Sequence, residues 1–170
     1  MSEPQSKKSK MSNSLEQLKA LTTVVADTGD FEAMKKYAPT DATTNPSLDF
    51  TGSKFAQYKP LIDKAVQYGN KIGTTEEERL ENAMDMLGVL FGVEILKIIP
   101  GRVSTEVDAR LSFDKEASIA KSFKNYSTVC RSRHLKERIL LGLASTWKEF
   151  KLPKFWNRHI PYTVPINMID

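Results

Sequence analysis

A chain of 170 residues, 40% hydrophobic and 27% charged, has the composition of a globular protein with room for one packed core. Its 25 Lys and Arg against 21 Asp and Glu leave a net charge of +4. Part of that charge lies in Lys7, Lys8 and Lys10, so a basic tip sits on a nearly balanced body and a nucleic-acid groove is not indicated. A single cysteine, Cys130, excludes an internal disulfide framework and fits a reducing compartment. No apolar run approaches the roughly 20 residues that span a bilayer, and the N-terminus lacks the apolar core of a secretory signal. The expectation is a cytoplasmic protein without membrane contact; nuclear import driven by the N-terminal lysines is the alternative.

In chain order, residues 1–11 read as a disordered basic leader. Ser12 or Asn13 then caps a short amphipathic helix with Leu15, Leu18 and Leu21 at helical spacing. "TTVVAD", Thr22 to Asp27, is rich in β-branched residues and reads as a buried strand ending at a carboxylate. "GDFEAMKKYAP" predicts a helix capped by Asp30 and stopped by Pro39, and "TDATTNPSL" holds a second short strand before an Asn-Pro turn. Between Lys54 and Ile72 the apolar residues Phe55, Tyr58, Leu61, Ile62, Ala65 and Val66 share one helical face. The next helix opens with the acidic turn "TTEEER", which suits the helix dipole, and closes on Pro100-Gly101; its methionines and Phe91 read as core.

"RVSTEVD", Arg102 to Asp108, is a third strand, with Glu106 and Asp108 on one face by the two-residue alternation. "FDKEASIAKSFKNYSTVC" resumes a helix whose second half is weak in helix formers. "RILLGLAS" is the fourth strand, and its interior glycine, Gly142, gives up side-chain packing, a cost that marks a bulge, a close approach or a lost side chain. Residues 148–170 change character: three prolines, aromatic residues and a basic bias without a period, read as a divergent tail with poor order or as a strap over an exposed sheet edge.

Strands alternating with helices imply a parallel sheet, and polar residues gathered at the C-terminal strand ends imply a site on that rim. Eight such units close a barrel and need about 200 residues or more. Four are visible, so the fold class is α/β: an incomplete (β/α)8 barrel over residues 12–147. Asp27, Glu106 and the Asn45 amide fall at or just past three strand ends and can face a common centre. Carboxylates so placed suit proton transfer at a carbonyl or hydroxyl, although carboxylates at strand ends are more often turn formers or helix caps.

The wording of four ordered segments, "TTVVADTGDF", "DATTNPSL", "PGRVSTEVDARLSFD" and "RILLGLASTW", closely resembles the transaldolases, over about Leu15 to Trp147. The resemblance implies a (β/α)8 barrel of the class I aldolase kind and a pentose-phosphate reaction that needs no cofactor or metal. In it a dihydroxyacetone unit passes between sugar phosphates: sedoheptulose 7-phosphate and glyceraldehyde 3-phosphate give erythrose 4-phosphate and fructose 6-phosphate. It further implies that Asp27 matches the acid/base at the donor's C4 hydroxyl, and that Glu106 matches the carboxylate that works through a water in imine formation and hydrolysis. Asn45 matches the amide that holds substrate hydroxyls, with Thr44 as its neighbour in the pocket.

The family's central lysine, which attacks the ketose carbonyl and turns it into an electron-drawing iminium, lies four positions after the Arg of "RIL". Counting from Phe113 without gaps, that place holds Gly142. Lys148 lies past the strand end and Lys136 before the strand, so neither is expected to substitute, and His134 and His159 form no regular metal-ligand spacing. The implied ligands are sugar phosphates, and the implied chain lacks both the nucleophile and the later strands that anchor phosphate. The expectation is therefore an inactive member, with a non-catalytic interaction protein or a truncated or misassembled product as the alternative. An open fourth-strand edge would favour self-association.

Overall fold

Every described strand is short, between two and four residues. The computed structural model of the chain describes residues 13–44, 55–129, 136–142 and 162–163. The strands are β1 (Val25–Asp27), β2 (Asp41–Thr44), β3 (Val103–Glu106), β4 (Ile139–Gly142) and β5 (Tyr162–Thr163). The helices are α1 (Ser14–Leu21), α2 (Phe31–Tyr37), α3 (Phe55–Ile72), α4 (Glu76–Leu96) and α5 (Lys115–Val129), with single 3-10 turns at Ala109–Leu111 and Lys136–Arg138.

Boundaries follow from where backbone groups find partners. Asn13 caps α1 by accepting from Glu16 N–H, and Thr22 N–H closes the last turn on Leu18, so Thr22 belongs to the helix end and β1 begins only at Val25. Asp30 caps α2 as the sequence predicts, and Ala38 leaves that helix at a left-handed φ of 45° before Pro39. Thr75 and Glu78 form a reciprocal capping box on α4, whose first turn is acidic. α5 runs through to Val129 despite the weak helix formers in its second half. Arg138 stays outside β4 because its guanidinium donates to the carbonyls of Ile99 and Gly101, 2.6 and 2.7 Å away. That contact ties the start of β4 to the α4–β3 connection. In the same connection Gly101 N–H reaches Thr40 and Asp41 accepts from Arg102 N–H at 2.8 Å. A Cβ at Gly101 would fall on Asp41 Oδ1 and the Thr40 carbonyl, so the glycine of "PG" is required by close approach.

All pairings are parallel and the strand order is the sequence order, β1-β2-β3-β4-β5. Among the described residues, the helices pack on one face of the sheet. Ala42, Val103 and Ile139 point into a core built with Met34 of α2, Val89, Ile95 and Leu96 of α4, and Ile99. The alternate residues, Asp27, Thr43, Ser104, Glu106, Leu140 and Gly142, line the other face. A doubly wound sheet would reverse its strand order and cover both faces. Sequential order with one covered face is an arc of a barrel, the sequence-predicted class, carrying a fifth strand beyond the four expected.

That fifth strand corrects the picture of a bare fourth-strand edge. Leu141 pairs with Tyr162 and Gly142 with Thr163, so part of the tail lies along β4 as a strap. The leader, Asn45, Ala144, Lys148, both histidines, Cys130 and the rest of the tail lie outside the described residues. Among the described residues no helix is long and apolar enough to cross a membrane.

Candidate active-site rim

Register sets which polar groups meet. Asp27 pairs with Thr43, Thr43 with Ser104 and Ser104 with Leu140, which gives one rung of the face opposite the described helices. Glu106 stands two residues beyond Ser104 and pairs with Gly142, one rung nearer the C-terminal rim, the stagger that tilted barrel strands require. The ladder continues past Glu106, because Val107 N–H donates to the Gly142 carbonyl at 3.0 Å.

Asp27 accepts a 2.8 Å hydrogen bond from the Thr43 hydroxyl. Thr44, expected as the pocket neighbour, instead lies on the Ala42 face of β2, where it is buried and its hydroxyl donates to the Ser104 carbonyl. The hydroxyl beside the acid is that of Thr43, because strand alternation sends neighbouring side chains to opposite faces. Asp108, expected on the Glu106 face, has left the strand: β3 ends at Glu106, and Asp108 caps the following 3-10 turn and grips Arg110 at 2.6 Å. The Arg110 hydrogen bond holds the Asp108 carboxyl below the ordinary range, as befits a cap. The sequence-predicted amide, Asn45, follows the last described residue of β2 and lies outside the described residues.

Glu106 is the perturbed group of the rim. Burial, and then the nearby charge of Asp27, push its carboxyl pKa up from 4.5. A half-buried acid whose charged form is disfavoured by burial and by a second carboxylate is suited to proton exchange.

Gly142 completes the arrangement by what it omits. A Cβ built there would stand 3.1 Å from Glu106 Cγ and 3.3 Å from Ser104 Oγ, so a side chain at 142 would project onto the Asp27–Glu106 face between those residues. Lys136 opens the 3-10 turn before β4, at the opposite end of the strand from this rim.

Tyr58 was legible as part of the α3 apolar face but not as part of the site's support. Its ring packs edge-on against Phe31 and Phe91, with centroids 5.0 and 4.9 Å away, and its hydroxyl donates to the Gly29 carbonyl at 2.7 Å. Gly29 is two residues past Asp27, so α3 and α4 together fix the loop that carries the acid. The available signal was chemical: a tyrosine within an apolar stripe needs a partner for its hydroxyl.

A parallel β/α arc with one helix-covered face, and with acids and hydroxyls on the C-terminal rim of the other, defines a barrel protein of the class that places its chemistry at that rim. The particular family is fixed by comparison with known proteins. The chain belongs to the transaldolase/fructose-6-phosphate aldolase family, whose model matches residues 24–158. It is 56% identical over 156 residues to a transaldolase of Saccharomyces cerevisiae, covering 91% of this chain and 47% of that protein. It is 52% identical over 153 residues to bovine transaldolase, covering 90% and 45%, and 50% identical over 154 residues to the human protein, covering 91% and 46%. The chain spans about half the length of the curated relatives it matches.

Proposed function

We propose that this chain carries the proton-transfer half of a transaldolase-type site without its nucleophile, and that it does not form an imine with a ketose. The observation that carries the reading is Gly142: it pairs with Glu106, its missing side chain would point between Glu106 and Ser104, and it stands four residues after Arg138. Family membership supports sugar phosphates as the ligand class and the pentose phosphate pathway as the setting.

In this reading Asp27, held by Thr43, is the acid/base at a substrate hydroxyl, and Glu106, with its raised pKa, is the group that moves protons through water. Cleaving a ketose between C3 and C4 leaves an electron pair on C3. An iminium at C2 would accept that pair, whereas a neutral carbonyl accepts it far less readily. Without an amine at position 142 the bond has no such acceptor, and two well-placed acids cannot supply one. The single cysteine is in keeping with a reducing compartment such as the cytosol.

The test is borohydride trapping with fructose 6-phosphate followed by intact-mass measurement. Unchanged mass together with no dihydroxyacetone transfer is expected; a reduced adduct on any lysine would overturn the reading.

A further inference from the structure

We infer that Tyr58 is a positioning residue of the rim: by holding the Gly29 carbonyl, its hydroxyl sets how close the Asp27 carboxylate stands to Glu106. The inference rests on the reading of Asp27 as the acid/base at a substrate hydroxyl, and it concerns geometry that exists before any ligand or imine.

The two acids are held unequally. Glu106 ends β3, which is paired with β2 on one side and β4 on the other and whose preceding residues Val103, Ser104 and Thr105 are buried. Asp27 ends β1, a three-residue strand without a buried member, paired with β2. The separation of the two carboxylates is therefore decided at the Asp27 end, by what fixes the strand terminus and the turn that leaves it.

Each residue of that turn is tied. The Thr43 hydroxyl donates to Asp27 at 2.8 Å. The Thr28 hydroxyl accepts from Asp30 N–H at 3.1 Å, and Asp30 in turn accepts from Glu32 and Ala33 N–H as the cap of α2. Those ties bind the turn to β2 and to α2. Tyr58 adds a tie to α3, donating to the Gly29 carbonyl at 2.7 Å. The anchor is stiff, because Tyr58 and Phe91 are both buried and Phe31 packs against each of them, with ring centroids 5.0 and 5.6 Å away. A buried tyrosine hydroxyl needs a partner. Here that partner is the carbonyl two residues past the acid, so satisfying the hydroxyl also fixes the backbone that carries the carboxylate.

Glu106 reports on the result. Among the described residues, Asp27 is the charge that, after burial, raises the Glu106 pKa. As Asp27 draws away, Glu106 should titrate lower.

The test compares the full chain with Tyr58→Phe, Asp27→Asn and the double variant, read by carboxyl NMR titration of Glu106 and by amide hydrogen exchange. Tyr58→Phe keeps the ring and its aromatic contacts while removing the donor. Exchange at Asp30, Glu32 and Ala33 is expected to rise several-fold, up to about tenfold, with α3 and β3 unchanged. Glu106 is expected to titrate lower in Tyr58→Phe, in the direction of Asp27→Asn, and Tyr58→Phe is expected to add nothing once Asp27 is Asn. Glu106 titrating as in the parent chain overturns the inference. An equal shift in the Asp27→Asn background also overturns it, since the effect would then reach Glu106 through packing. Exchange that rises across α3 and β3 alike marks a general loss of stability and overturns the positioning role. None of these readings needs a ketose, so failure here leaves the nucleophile-free reading standing, whereas a borohydride adduct would overturn that reading and not this one.

Discussion

Replacing Gly142 by lysine is the most informative single perturbation, because its stability effect reads out the geometry of the rim independently of any activity. Three terms decide the sign. Removing a strand-interior glycine restricts the unfolded chain and contributes about 0.5 to 1 kcal/mol in favour of folding. The new Cβ arrives 3.1 Å from Glu106 Cγ and 3.3 Å from Ser104 Oγ, closer than is comfortable. Glu106 ends in a half-buried, flexible side chain that yields by a few tenths of an ångström, so this term is a fraction of a kcal/mol against. An ammonium beside the half-buried Glu106 carboxylate adds about 0.2 to 1 kcal/mol. The sum is a stabilisation of roughly 0.5 to 1.5 kcal/mol at neutral pH.

The sign has a pH signature. Glu106 has a raised folded-state pKa, so in the parent chain its contribution to stability is present below 4.5 and is lost as pH rises through the raised value. A lysine partner favours the ionised form, so the gain from Gly142→Lys is expected to grow as pH rises from 4 toward 7. Urea unfolding of both chains at several pH values measures it. A variant less stable than the parent by more than about 1 kcal/mol, or a difference that does not change with pH, would refute the placement of position 142 beside Glu106.

Other outcomes follow from the same contacts. Glu106→Gln is expected to flatten the pH dependence of unfolding above pH 4.5, since it removes the group whose raised pKa makes neutral pH less favourable. Lys121 is 7% exposed and bridges Glu81 at 2.5 Å and Asp85 at 2.9 Å between α4 and α5. Burial pulls its pKa down, but those two acids outweigh burial and hold it charged. Lys121→Met leaves Asp85, 12% exposed, with Lys124 alone at 3.2 Å, and is expected to cost about 2 to 4 kcal/mol by denaturant unfolding. Thr75→Ala opens the α4 capping box and is expected to cost about 1 kcal/mol. Gly101→Ala forces a Cβ onto Asp41 and Thr40, and its thermal midpoint is expected to fall by more than that of Thr75→Ala.

Much of the fold lay in plain view in the chain. Asp30 and the acidic turn before α4 announced their helices because capping and dipole effects act within a few residues. Asp27 and Glu106 ended β-branched runs, which placed both acids at strand ends. The position of Gly142 on the same face as Leu140 was legible from the two-residue period once β4 was recognised.

What the chain alone determined, then, was the kind and order of its elements and the residue types at the strand ends, since those depend on short-range periodicity and local backbone chemistry. Tertiary structure decided the rest. It put Thr43 beside Asp27 and turned Thr44 to the core face, because only the register of β1 on β2 says which face meets the acid. It turned Asp108 into a cap, because the chain leaves the sheet after Val107 and the Asp108 carboxylate accepts from Arg110 N–H. It laid Tyr162 and Thr163 along β4, a pairing between residues some twenty positions apart that no local pattern encodes. Register and edge pairing are set by contacts distant in sequence, and their free energy is realised only when the sheet is assembled.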